Sequence, residues 1–225
     1  MQFENKYCPK DIESFTVVDV ALKSALNGYI HQNVRRPLLL YGGYGAGKST
    51  IARLLPNAIR DAMRYSDVDV IHADVRISNE LEMIGEFQKI VLDDLFDTGF
   101  QLRVFIIDEV DQLTPTNMKL LRKKIDDLNR QVAGSNNEVH EMIVMTTNEL
   151  SKIDRAVQSR STVIKMVPLE SKDWFPIARR IIKKEGCPVP SRAELAKMFK
   201  LYSLDNRHAL QIIERYCHDH QQSTH

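Results

Sequence analysis

The sequence predicts an α/β fold: a parallel sheet with helices on both faces, followed by a small all-helical domain. Three observations carry that expectation. Short apolar runs alternate with longer stretches of helical period from residue 36 to residue 168, the pattern of parallel strands joined by crossover helices. A glycine-rich loop, GGYGAGKST at 42–50, falls where the first apolar run gives way to the first helical stretch. Beyond Pro168 the strand-like runs cease and only helical spacing continues.

Each element has its own reason. RPLLLYGG (36–43) is apolar and closed by glycines, as a buried strand meeting a tight turn. STIARLLPNAIRDAMR (49–64) sets Ile51, Leu54, Leu55 and Ile59 at helical spacing. DVDVIHAD (67–74) returns to a strand-like pattern, and SNELEMIGEFQKIVLDDL (78–95) is helical and opens on a capping serine. RVFIIDE (103–109) is the most apolar strand. NMKLLRKKIDDLNR (117–130) is helical, and the polar AGSNNE (133–138) follows it as a loop. EMIVMTTN (141–148) and TVIKMVP (162–168) complete the strands. Stretches 172–185, 191–201 and 207–220 are helical, separated by GCPVP and the YSLDN turn. The expected organisation is an α/β domain over 1–168 and a helical domain over 169–225, without internal repeats.

With 225 residues, 43% apolar and 27% charged, the chain can bury a sizeable core, and its composition argues against disorder. A net charge of +1 neither demands nor excludes nucleic acid, because a basic face can be balanced elsewhere. Cys8, Cys187 and Cys217 are odd in number, far apart and form no CxxC, so reduced thiols in a cytosolic-type compartment are expected. No basic-then-apolar leader opens the sequence, and no apolar run approaches the roughly 18 residues of a bilayer span. The expectation is a soluble protein of the cytoplasm, nucleoid or a viral replication site, not secreted and without a membrane partner. CHDH (217–220) offers adjacent ligands on one terminal helix, which cannot converge on one tetrahedral ion.

The loop fits G-x-x-x-x-G-K-[ST] over Gly42, Gly43, Tyr44, Gly45, Ala46, Gly47, Lys48 and Ser49, with Thr50 next. Its strand-to-helix setting is the one in which loop and helix N–H groups cradle phosphates. Lys48 is then placed to reach the β- and γ-phosphates and Ser49 to ligate Mg²⁺. A glycine turn with a chance lysine is the competing reading, and it does not require that setting. RVFIIDE ends in Asp108 and Glu109: one carboxylate for the metal's shell, the other to polarise an attacking water. Phosphoryl transfer needs such positioned charge and an oriented nucleophile, with little covalent chemistry. An acidic cap on the following turn is the plainer alternative. Asn148 ends the next strand, where polar residues face the ligand crevice, and is a candidate to orient the water or touch the γ-phosphate. ATP and Mg²⁺ are the expected cofactors, and the acidic pair favours hydrolysis.

With these residues in place the chain resembles AAA+ ATPases of the clamp-loader kind over nearly its full length. NKYCPKDIESF is similar to their EKYRPKxxxDF, IHADVRIS to LNASDxRGI, and DEVDQLTPTNMKLLRKKID to DExDxMTxxAQxALRRxME. VQSRSTVIKM is similar to LQSRCxxxxF, and LDNRHALQIIE to GDxRxALNxLE. The resemblance implies an AAA+ P-loop sheet with a helical lid and further roles. Arg160 matches the arginine finger that reaches the γ-phosphate of a neighbouring subunit. Arg207 matches the second sensor, which closes the lid over nucleotide bound in the same chain. Arg53, Arg76, Arg122, Lys123 and Lys124 match positions facing a channel that tracks a DNA backbone, where phosphate contacts need cations and no base-reading groups. Solvated surface arginines and lysines are the alternative for each. The implied partners are neighbouring AAA+ subunits (identical or not), primer–template or duplex DNA, and a sliding clamp or helicase.

Departures bear on these implications. Cys8 replaces the arginine of KYRP, which weakens adenine-side contacts, and Ser161 replaces the cysteine after the finger. Clamp loaders carry a helical collar after the lid, whereas this sequence runs only through the lid. A helicase-loader or transposition-type ATPase, which often lacks a collar, is therefore an open alternative. A nucleotide-holding scaffold subunit is another, and it leaves the intact set Lys48, Asp108, Glu109 and Arg160 without a use.

Overall fold

The computed structural model describes residues 2–16, 19–32, 34, 36–63, 67–74, 101–132, 139–200 and 205–222. The helix expected over 78–95, the loop over 133–138 and Arg76 lie outside the described residues. The chain falls into two compact units, one of Asp11–Gly42 with Lys48–Met166 and one of Met1–Lys10 with Gly43–Gly47 and Val167–His225.

The larger unit is built on strands β1 (Leu38–Tyr41), β2 (Asp67–Asp74), β3 (Gln101–Asp108), β4 (Val139–Thr147) and β5 (Thr162–Lys165). All pair in parallel, in the order β2-β3-β4-β1-β5. The expected parallel sheet is borne out, and so is the reason for it: Leu38 to Leu40 and Leu102 to Ile107 are buried without alternation, as strands covered on both faces must be. Helix α3 (Lys48–Met63) follows β1, and α4 (Pro115–Val132) lies between β3 and β4 in the chain. Thr114 caps α4 by accepting the Asn117 N–H at 3.2 Å, with proline at the first helical position. Leu121, Ile125 and Leu128, one stripe of α4, pack on Leu39, Phe105, Ile107, Ile143 and Met145. Val157 of the short helix α5 (Arg155–Arg160) joins that core.

Helix α2 (Val20–His31) has no counterpart among the sequence expectations, although its signals are present. Asp19 accepts the Leu22 N–H at 2.8 Å as an N-cap, and Leu22, Leu26, Tyr29 and Ile30 form a buried stripe.

The smaller unit consists of α1 (Gln2–Lys6), α6 (Ser171–Lys184), α7 (Arg192–Lys200) and α8 (Asn206–Gln222). Its core gathers Trp174, Ile181, Ile182, Leu195, Phe199, Ile213 and Cys217, and Phe3 reaches it from the N-terminal segment. That segment is also pinned by charge. Lys6 Nζ lies 2.6 Å from Glu185 Oε1, and the Tyr7 hydroxyl donates to the same carboxylate. Lys6 and then Tyr7 hold the Glu185 carboxyl below its usual range, while burial and that carboxylate push the Tyr7 phenol up. Cys8 is exposed, Cys187 and Cys217 are buried, and all three are free thiols. Among the described residues no helix is long and apolar enough to cross a membrane.

Candidate nucleotide site

The carboxyl ends of β1, β3 and β4 lie side by side, and the candidate residues follow from that. At the end of β1 the chain turns through Gly42, whose φ is 149° and whose N–H donates to the Thr147 carbonyl at 3.2 Å. A Cβ there would stand 2.0 Å from the Met166 carbonyl oxygen, so only glycine fits. Lys48 opens α3 and is 7% exposed. Its ammonium donates to the Gly42 carbonyl at 2.7 Å and to Asn148 Oδ1 at 2.8 Å. A buried ammonium must be hydrogen-bonded. Here the bonds hold the loop lysine against the asparagine that ends β4, a hundred positions along the chain.

Register brings in the acids. Ile107 pairs with Met145, so Asp108 stands alongside Thr146. The Thr146 hydroxyl donates to Asp108 Oδ1 at 2.8 Å and accepts the Glu109 N–H at 3.1 Å. Thr147 donates to Asp111 Oδ1 at 2.6 Å and accepts the Glu149 N–H at 3.0 Å. Glu109 has φ 55° and ψ 47°, the one positive φ of a non-glycine among the described residues. Such a conformation costs about 1–3 kcal/mol and persists only where the surroundings impose it. The flanking residues do so: Asp108 is tied to Thr146, Val110 is fully buried, and Asp111 is tied to Thr147. The two threonines are the part of the site that motif reading does not find. Their signal is a hydroxyl pair just before a strand-end asparagine, beside a strand ending in two acids.

The donor set suits Mg²⁺. The Ser49 hydroxyl follows Lys48 at the start of α3, and the Asp108 carboxylate is aimed by Thr146. Hard oxygens of this kind, with water completing the shell, match that ion's preference.

In the smaller unit, Gly45 has φ 66° and its carbonyl accepts the Asn206 N–H at 3.2 Å, while Tyr44 is 74% exposed. Arg207, at the start of α8, has Nε 3.1 Å from Glu4 Oε1. In the larger unit, Arg160 ends α5 and donates from Nε to Asp126 Oδ1 at 2.5 Å. Of the proposed DNA-facing cations, Arg53 has Nη2 3.8 Å from Asp108 Oδ2. Arg122 Nη1 lies 4.0 Å from Asp154, and Lys123 is exposed. Lys124 is largely enclosed, its Nζ 2.9 Å from Glu141 and 5.1 Å over the Phe105 ring.

Residues 38–169 match the ATPase family associated with various cellular activities (AAA). The chain is 24% identical to DNA polymerase III subunit gamma of Buchnera aphidicola subsp. Schizaphis graminum, with 95% of this chain and 60% of that one aligned. It is 29% identical to replication factor C subunit 3 of Schizosaccharomyces pombe, over 95% and 58% of the two chains. It thus spans about three fifths of the length of these curated relatives. Among solved structures, the Thermotoga maritima RuvB Holliday junction branch migration motor superposes with a TM-score of 0.68 at 20% identity, over 93% of this chain and 64% of that one. AMPPCP-bound DnaA from Aquifex aeolicus gives 0.57 at 15% identity, over 92% and 63%. These superpositions speak for the fold, and the family match extends over more than half of the sequence. The chain belongs to the AAA family of ATPases.

Proposed function

We propose that this chain is a clamp-loader-type ATPase subunit that binds and hydrolyses ATP and couples ATP binding to oligomer closure on DNA. The observation that supports it most is the meeting of Lys48 with Asn148 beside the Thr146-held pair Asp108 and Glu109. Loop N–H groups from Gly43 to Ser49 bind the phosphates, and Lys48 exchanges its carbonyl and amide partners for β- and γ-phosphate oxygens. Ser49 and Asp108 would hold Mg²⁺, which would supply positive charge to offset that developing on the phosphates. Glu109 accepts a proton from the attacking water, whose position Asn148 fixes. Arg160 serves the γ-phosphate of a neighbouring subunit, and Arg207, in the helical residues 169–225 acting as lid, senses nucleotide in its own chain. The relatives' names place them in DNA replication, which suggests primer–template or duplex DNA as ligand and a clamp or helicase as protein partner, at a replication site. Arg122 and Lys123, on the exposed side of α4, are the cations best placed for phosphate contact.

The test is DNA affinity by fluorescence anisotropy, in a non-hydrolysable ATP analogue and in ADP, over a salt series. Binding should be tighter with the analogue and weakly sequence-dependent. Each phosphate contact removed should lower the log–log salt slope by about 0.9 for duplex. Equal affinity in both nucleotides, or no loss on charge reversal at Arg122 and Lys123, rejects the DNA-coupled reading.

A further inference from the structure

Helix α5, which carries Arg160, is gripped at both ends by α4. At its start Asp154 accepts the Ala156 N–H at 2.6 Å and lies 4.0 Å from Arg122 Nη1. At its end Arg160 donates from Nε to Asp126 Oδ1 at 2.5 Å and from Nη1 to the Ala156 carbonyl at 3.1 Å. Arg122 and Asp126 stand one turn apart on α4, a spacing that puts both on one side of the helix. Elsewhere Arg36 donates to the carbonyls of Ser159 and Arg160, which the end of a helix leaves without internal partners. A helix of only six residues cannot hold itself. Its orientation is therefore set by Val157 in the core, by Gln158, whose amide donates to the Leu150 and Ile153 carbonyls, and by these charged contacts.

We propose that Asp126 is a positioning residue for Arg160. It grips the Nε edge of the guanidinium while the Ala156 carbonyl takes one Nη1 hydrogen, so that Nη2 is presented to the γ-phosphate held by a neighbouring subunit. The proposal rests on the reading of Arg160 as a finger acting in trans. It also makes α4 and the finger one mechanical piece, and a load on α4 at Lys123, such as a DNA phosphate, reaches Arg160 through Asp126. A purely structural ion pair predicts something else. Asp126 and Arg160 are about a third exposed, with side-chain accessibilities of 31% and 38%, and exposed pairs add little to stability. Misplacing a catalytic contact by an ångström, in contrast, costs on the order of a hundredfold in rate.

The experiment compares Asp126→Asn, Asp126→Glu, Arg160→Ala and Glu109→Gln chains, singly and mixed, in ATP, Mg²⁺ and primed DNA. Asp126→Asn should lower kcat by about tenfold to a hundredfold, leave ATP affinity and melting temperature unchanged, and be largely relieved in Asp126→Glu. Mixed with Glu109→Gln it should regain activity, since intact fingers on one chain then serve intact acids on the other. Mixed with Arg160→Ala it should not, because every finger is then defective. Wild-type kcat in Asp126→Asn, alongside an inactive Arg160→Ala, overturns the positioning role and leaves the trans finger standing. A defect that Glu109→Gln chains fail to relieve in co-assembled protein also overturns it. Wild-type activity in assembled Arg160→Ala overturns the finger itself, and this inference with it.

Discussion

Thr146→Val removes one oxygen from the site and keeps the side chain's shape, so it isolates the hydroxyl. Thr146 is 2% exposed, and its Oγ1 makes two bonds, to Asp108 Oδ1 at 2.8 Å and from the Glu109 N–H at 3.1 Å. A bond to a charged group contributes about 1.5–3 kcal/mol and a neutral one about 0.5–1.5 kcal/mol. Asp108 is 30% exposed at the side chain, so water recovers part of the first. A net loss of about 1–3 kcal/mol in folding stability follows, read by urea unfolding. The larger effect should fall on the metal, because residues that orient a ligating carboxylate are worth about 10–100-fold in metal affinity or activity. Titrating Mg²⁺ into the protein with a fluorescent ATP analogue should show the half-saturating concentration raised by about tenfold or more, with metal-free nucleotide binding unchanged. Wild-type stability together with wild-type Mg²⁺ dependence would refute the assignment of Thr146 as the residue that aims Asp108.

Three further outcomes are expected. Gly45→Ala puts a Cβ 2.4 Å from Asp205 Cβ at φ 66°, so the loop must shift and ATP affinity should fall by about tenfold, the equivalent of the 1–2 kcal/mol such a conformation costs an L-residue; equilibrium ATP binding checks it. Leu121→Ala empties a fully buried position in the core beneath α4 and should destabilise the protein by about 2–5 kcal/mol in chemical unfolding. The third concerns pH. Glu185 titrates below its usual range because of Lys6 first and Tyr7 second, so its contribution is complete above the ordinary glutamate value of about 4.3 and is lost as pH falls through the lowered one. Exchange protection of the Tyr7 amide, bonded to the Phe3 carbonyl at 2.9 Å, should hold at neutral pH and fade only in that acid window, and Lys6→Ala should move the fading to higher pH.

What was legible in the sequence was local. The glycine-rich loop, the Asp108–Glu109 pair and Asn148 each sit where a short pattern meets the end of an apolar strand, and a parallel sheet points such ends to one edge. The supporting contacts were not local. That Thr146 ties down Asp108 depends on Ile107 lying opposite Met145, and nothing near either residue encodes that pairing. Lys124 reads as one more cation in LLRKK, yet Glu141 on β4 and the Phe105 ring enclose it. Arg53, which the resemblance turns toward a DNA channel, is exposed and stands near Asp108. The left-handed backbone of Glu109 has no sequence signal, since glutamate is not a residue expected there. Helix α2 was readable from Asp19 and its apolar stripe; its polar residues and Gly28 dilute the pattern.

In the proposed reaction Glu109 acts on water rather than on nucleotide. Binding and turnover of ATP measured side by side on Glu109→Gln test it most directly. The expected result is ATP affinity at the wild-type level with turnover abolished, whereas Lys48→Ala, lacking the ammonium proposed to meet the phosphates, should lose binding itself. Turnover by Glu109→Gln at the wild-type rate would rule out Glu109 as the base.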